Sequence, residues 1–333
     1  KAKDYAGTYG TNGFRLTFED DVVSEGFNAV TYRGTGASNS VSGIGFQPDF
    51  TWIKKRNSTR DHQLVNSVVG YGSGVLHSNS TAAEYTGFPR VDSSDADGFT
   101  VSGPDQVNGS GDSFVAWNWD AGENNAPTGH SSVTYTGNGG TQSIKGLGFE
   151  PDFVWIKERS STSTHMLADS VRGAGKQLES STTGAEITSS AGSRTLSSFD
   201  ADGFSVETNN QTNENNQTYV AWAWDAGTGS AASNTDGTIT STVKANPAKG
   251  FSIISYVGNG SSSQTVGHGL GVAPDLLIMK NRDDAENWQV NHSSITDGIF
   301  NLNTTDSKKD HTTFSTGAID PNGNTSTVFS MYD

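Results

Sequence analysis

GFQPDFTWIKKR occupies Gly45–Arg56, GFEPDFVWIKER occupies Gly148–Arg159, and a fainter version, GVAPDLLIMKNR, occupies Gly271–Arg282. In an extended strand alternate side chains face opposite ways. Phe50, Trp52, Lys54 and Arg56 then share one side, and Thr51, Ile53 and Lys55 the other. The second copy sets Phe153, Trp155, Lys157 and Arg159 against Val154 and Ile156. Both sides are apolar through the first half, which predicts a central strand buried on two faces. Pro48 and Pro151 precede it, where a strand tolerates a missing N–H.

Other anchors recur in step with this stretch. DADGF starts at Asp95 and again at Asp200, and SFVAWNWD, ending at Asp120, returns as TYVAWAWD, ending at Asp225. STVFSMYD, ending at Asp333, reads as the third version of that closing strand, with Ser330 in place of Trp117 and Trp222 and Tyr332 in the second aromatic slot. A further shared block sets His62, His165 and Trp288 at one position. The repeats define units at 27–122, 130–227 and 251–333, after an N-terminal connector at 1–26. The Gly-, Ser- and Asn-rich stretches 123–129 and 228–250 read as linkers. Strand signals punctuated by glycine, with almost no helical periodicity, predict an all-β chain of three tandem β-sandwich, jelly-roll-like repeats, each packed separately. The three copies of the opening stretch are each expected at the centre of a sheet.

Composition narrows the function classes. The 333 residues carry 21 basic and 36 acidic side chains, a formal net charge of −15, without a cluster of Lys and Arg. An electrostatic footprint for nucleic acid is therefore missing, and an acidic surface is repelled by anionic membranes. No apolar run reaches the roughly 18 residues of a membrane span. With no cysteine, the fold must rest on packing alone. The chain opens on Lys1, which suggests a processed or partial piece of something longer.

The combination of TYTGNG (134–139), GLGFEPDFVWIK (146–157), FDADGF (199–204) and YVAWAWDAG (219–227) resembles the repeated domains of tail-fibre and other structural proteins of marine tailed bacteriophages. GTYGTNGFRLTF (7–18) is similar to the connector beside such domains. The resemblance covers nearly the whole chain, although the third unit lacks DADGF. It implies lectin-like jelly rolls on a virion appendage at the particle surface, touching other virion proteins and host-surface glycans, and assembling as a homo-oligomer such as a trimer. It supplies no binding residues.

Each candidate site carries a structural reading beside a functional one. The pairs Trp117/Trp119 and Trp222/Trp224 would stack sugars if exposed, but a chain with few other large residues needs them as core. Asp95, Asp97, Asp200 and Asp202 have the spacing that opens a calcium loop, yet neither copy continues with the remaining ligands, and Asp before Gly is ordinary turn chemistry. They are weak metal candidates, and no cofactor is expected. The recurring Lys54, Arg56, Lys157, Arg159, Lys280 and Arg282, with Asp49, Asp152 and Asp275, read as charged strand ends. His62 and His165 lack the flanking nucleophile or zinc motif that catalysis would need, and Trp288 replaces them in the third unit. The chain is therefore not expected to be an enzyme. Glycan contact, if made, belongs to the variable loops 70–88, 173–196 and 207–218, through Tyr71 and Tyr85 in the first unit. The expected function is that of a virion structural protein, a tail-fibre or other appendage segment, with glycan contact secondary. A ligand-free spacer or capsid decoration module is the alternative; a secreted bacterial adhesin or a carbohydrate-active enzyme is more remote.

Overall fold

The computed structural model describes residues 26–87, 91–103, 105–122, 129–310 and 317–332. The connector, apart from Gly26, lies outside them, as do most of 123–129 and Asp333.

The first unit is built from β1 (Phe27–Arg33), β2 (Asn39–Ser42), β3 (Phe50–Lys55), β4 (Gln63–Asn66), β5 (Val91–Asp95), β6 (Gly98–Val101) and β7 (Ser113–Trp119). They form two antiparallel sheets, an inner one ordered β1-β7-β3-β4 and an outer one ordered β2-β6-β5. The second unit repeats this with β8 (His130–Thr136), β9 (Gln142–Lys145), β10 (Phe153–Glu158), β11 (Met166–Asp169), the short pair β12 (Lys176–Gln177) and β13 (Ile187–Thr188), then β14 (Ser198–Asp200) and β15 (Gly203–Val206). A single turn of helix, α1 (Asn210–Asn213), precedes β16 (Thr218–Trp224). Its inner sheet runs β11-β10-β16-β8 and its outer sheet β14-β15-β9. The fold is thus an all-β set of sandwich units in tandem.

Register explains why β3 and β10 are apolar on both sides. Phe50 and Trp52 face a core that also contains Val115, Trp117 and Trp119, whereas Ile53 faces the outer sheet with Phe99, Phe114 and Ala116. Likewise Trp155, Val220, Trp222 and Trp224 face one way, and Val154, Ile156, Tyr219 and Ala221 the other. Each inner sheet is therefore the middle of three layers. Its second face does not meet a sheet of its own unit. It meets the other units: one cluster joins Phe50, Trp52 and Trp117 to Trp155, Trp222 and Trp224 and to Trp288, Val290 and Phe300. Phe50 stacks on Trp222 at 5.1 Å, and Trp52 meets Trp155 edge-on at 6.3 Å. Separate packing of the units is thereby corrected. No single unit has enough apolar residues to cover both faces of its inner sheet, so the three cover one another.

The repeated glycines have a local cause. A Cβ on Gly98 would lie 2.0 Å from the Val41 carbonyl oxygen, and one on Gly203 1.9 Å from that of Ile144. The DADG turn needs a residue without a side chain where β6 and β15 cross their neighbours.

The third unit departs from the pattern. Its strands are β17 (Ala232–Asn234), β18 (Ser241–Asn246), β19 (Phe251–Tyr256), β20 (Thr265–Gly267), β21 (Leu276–Met279), β22 (Gln289–His292), β23 (Gly298–Asn301), β24 (Lys309–Asp310) and β25 (Val328–Ser330). The stretch 228–250, read as a linker, supplies β17 and β18, and Lys244 pairs with Asp152 of the second unit at 2.5 Å. β21, expected at the centre of its sheet, is an edge strand in the order β21-β22-β23-β24. The closing segment STVFSMYD does not take the place of β7 and β16 either. β25 pairs with β20, matching Phe329 to Val266 as Phe99 matches Val41 and Phe204 matches Ile144. Phe329 is thus the counterpart of the DADGF phenylalanine, a correspondence hidden in sequence because the turn before it is different.

Candidate functional site at the joints between the units

The strand that opens each unit runs toward a loop of another unit, and its last residues make the joint. In the second unit the Arg159 carbonyl accepts from Glu84 N at 2.8 Å, the Arg159 guanidinium pairs with the Glu84 carboxylate, and Lys157 Nζ donates to Thr81 O at 3.3 Å. In the third unit the Arg282 carbonyl accepts from Glu186 N at 2.7 Å, and Arg282 grips the Glu186 carboxylate at 2.9 and 3.1 Å. In the first unit Arg56 O accepts from Lys308 N at 3.1 Å, and Lys54 Nζ donates to Thr305 O at 3.0 Å. The second unit docks on the first, the third on the second, and the first on the third. A head-to-tail contact repeated in this way closes into a ring when the rotation allows. Here the ring closes within one chain.

Histidine and tryptophan fasten the same joints. Trp52 Nε1 donates to His62 Nδ1 at 2.8 Å, so His62 carries its proton on Nε2 and donates it to Asn301 O at 3.1 Å. Trp155 and His165 repeat the relay, from Nε1 to Nδ1 at 2.8 Å and from Nε2 to His77 O at 2.9 Å. In the third unit Trp288 Nε1 reaches Glu179 O directly at 2.9 Å, and Ile278 stands where Trp52 and Trp155 stand. The two replacements go together: Trp288 takes the histidine's place and makes the bond to the neighbouring unit itself. Near the centre Ser180 Oγ donates to Ser78 O at 2.9 Å, and Ser78 Oγ to Leu302 O at 3.1 Å.

Burial sets the charge states. His62 and His165 are fully enclosed, and burial drives their pKa well below the ordinary value and keeps them neutral. Burial also lowers Lys54 and Lys157 to about 8. Burial pushes the Glu186 carboxyl up, yet Arg282 and Arg172 outweigh it and hold the pKa below the usual carboxylate range. These groups are pinned to carbonyls or to one another inside joints. Their chemistry is to hold units together.

The remaining candidates fall elsewhere. Asp97 accepts from the Gly43 and Gly45 N–H groups at 3.0 and 2.7 Å, and Asp202 from Gly146 and Gly148 at 3.3 and 2.8 Å. Asp95 accepts from Ser93 and Thr100, and Asp200 from Ser198 and Ser205. Asp97 and Asp202 thus clamp the turn between β5 and β6, or β14 and β15, to the glycine loop after β2 or β9, while Asp95 and Asp200 brace the hairpin itself. Tyr71 packs against the first unit's own core and hydrogen-bonds Thr51 Oγ1 at 2.8 Å, which corrects its reading as an open stacking ring. Tyr85 is 42% exposed on the docking loop. Asp49 and Asp152 tie the residue after the closing strand, accepting from Ala121 N and Ala226 N at 2.8 and 2.9 Å. Sequence reading missed the receiving loops 77–84, 179–186 and 301–308. A signal was present: an Ala-Glu pair, Ala83-Glu84 and Ala185-Glu186, follows both histidine blocks at nearly the same distance.

Fold and joints define a class: a single-chain ring of three β-sandwich units around a common aromatic core. The chain matches the family described as a domain of unknown function, DUF7483, over residues 23–133 and 126–332, and it belongs to that family. No curated protein and no solved structure matches it.

Proposed function

We propose that the chain is a structural protein of a bacteriophage virion, a segment of a tail fibre or other appendage displayed at the particle surface, without catalysis of its own. One observation supports the structural role above the rest. The side chains that recur between units, and that a catalytic or sugar-binding reading would have used, are engaged in closing the ring: Arg159 with Glu84, Arg282 with Glu186, His62 and His165 through their tryptophans. The virion setting comes from the resemblance of the repeated motifs to phage appendage domains. A ring formed within one chain makes a compact module that other virion proteins can stack upon. The test is location. Antibodies raised against the chain should label purified particles of the phage that encodes it; signal confined to infected-cell lysate would overturn the proposal.

A secondary reading, glycan contact, rests on the exposed Tyr85 at the rim of the first joint. A glycan array probed with the multivalently displayed chain and with Tyr85→Ala tests it. Binding that the variant loses supports the reading, and no binding by either leaves the chain as spacer or decoration.

A further inference from the structure

We propose that the first unit is an exchangeable part of the ring and that the partner it fits is a second copy of this chain. Two chains trade first units, and each ring then holds the first unit of one copy seated on the second and third units of the other. The exchange does not depend on where the protein resides.

The three joints share one geometry and differ in their fastening. Two ion pairs tie the third unit to the second, Arg282 with Glu186 at 2.9 Å and Lys244 with Asp152 at 2.5 Å. Asn246 Nδ2 adds a bond to Asp225 Oδ2 at 3.2 Å, and Phe251 packs on Phe153 and Trp224. One ion pair, Arg159 with Glu84, ties the second unit to the first. Among the described residues none ties the first unit to the third. Lys308 occupies the place of Glu84 and Glu186, with its backbone N–H on the Arg56 carbonyl, and its charge turns to Asp297 and Asp310 of its own unit. Lys55 turns to Asp105 and Asp112 of the first unit, and Arg60 to Asp105. The connections differ in the same sense. The stretch 228–250 folds as β17 and β18 and is pinned by Lys244, whereas 120–129 contains no strand among the described residues. The first unit is the least fastened of the three.

What the first unit leaves behind selects its replacement. Its departure uncovers both sides of the shared core, parting Trp117 from Phe300 and His292 at 6.3 and 6.2 Å and Phe50 from Trp222 at 5.1 Å. The seat then presents the carbonyls of Asn301, Leu302 and Thr305 from the third unit, and His165, Lys157 and Arg159 as donors from the second. A first unit answers all of these, with His62, Ser78 and Lys54 as donors and the His77 carbonyl, the Thr81 carbonyl and the Glu84 carboxylate as acceptors. Every copy of the chain carries one. A head-to-tail contact forms within a chain or between chains, and exchange of an identical element is a ready route to a dimer because every contact is recovered. The ten residues 120–129 span about 33 Å when extended, which bounds how far a first unit travels from its own second unit. With equal contacts in both forms, the balance rests on chain concentration against the effective concentration set by a short linker, on the order of millimolar.

The test holds the full chain at about 1 mM and at about 10 µM in urea just below its unfolding midpoint, then returns it to buffer for sedimentation. A dimer with the Tm and tryptophan fluorescence of the monomer is expected, about a hundredfold scarcer relative to monomer at the lower concentration. Two single-cysteine variants, Arg56→Cys and Lys308→Cys, locate the contact in a chain that otherwise has no cysteine. Mixed and taken through the concentrated treatment, they should be bridged to each other by a short bismaleimide, and the same mixture without urea should not. In the double variant Arg56→Cys/Lys308→Cys the reagent, applied first, should lock each first unit to its own third unit and abolish the dimer. Monomer alone at both concentrations, a dimer with altered Tm or fluorescence, a dimer in which positions 56 and 308 are not bridged between chains, or a locked chain that still dimerises would each overturn the proposal.

Discussion

Lowering the pH from 7 to 5 should destabilise the ring through its buried histidines before any carboxylate titrates. His62 and His165 are neutral in the folded chain, with pKa driven well below 6.5 by burial, and burial lowers His130 to about 3 and His292 to about 4. In the unfolded chain each imidazole takes up a proton below about 6.5. The unfolded state therefore binds more protons as the pH falls, so stability is full above about 6.5 and drops as the pH moves toward the folded pKa. Integrating the linkage gives about 2 kcal/mol per histidine between pH 7 and pH 5, or about 8 kcal/mol for the four. That rivals the whole stability of an ordinary domain, roughly 5–15 kcal/mol. Urea unfolding followed by tryptophan fluorescence at half-unit pH steps measures it, since Trp52 and Trp155 bond directly to the histidines. His165→Gln removes one titrating group, and its loss between pH 7 and 5 should be smaller than that of the parent by about 2 kcal/mol. A parent stability that is flat over this range, or a variant whose pH dependence runs parallel to the parent, would refute the reasoning.

Trp222→Ala removes the ring that stacks on Phe50 across the first and second units; a loss of about 3–5 kcal/mol in urea unfolding is expected, and a loss under about 1 kcal/mol would mean the shared core is loosely packed. Glu84→Lys sets like charges face to face at the joint with Arg159, and adding Arg159→Glu should restore most of the lost Tm; a double variant no better than the single one would deny the pair its role. Raising the pH from about 8 toward 10 should stabilise the fold, because Lys54 and Lys157 lose their protons near 8 when folded and only near 10.4 when unfolded; urea midpoints that fall over this range would contradict it. Calcium and EDTA should leave Tm unchanged, since the DADG acids already accept hydrogen bonds from glycine N–H groups and hydroxyls; a calcium-reversible drop of about 10 °C would show a bound ion.

The sequence alone determined the class of fold, because alternation and glycine punctuation are local. Phe50-Thr51-Trp52-Ile53 can be buried on both faces only as an inner strand, and DADG can only be a tight turn. It also marked the joint residues, Arg159, Arg282, His62 and His165, as recurring, the arginines as charged strand ends and the histidines as a shared position, with no partner in view. Tertiary structure decided what the second apolar face meets. Phe50 and Trp222 lie far apart along the chain and in different units, and no periodicity records that they stack. Only three-dimensional closure reveals that Glu84 receives Arg159, Glu186 receives Arg282, and Lys308 N binds Arg56 O to complete the ring. The third unit shows the same division. STVFSMYD has a strand-forming alternation that suits either sheet, and its place beside β20 was settled by hydrogen-bond register and by the depth available to Phe329, which are properties of the assembled layers and not of the segment.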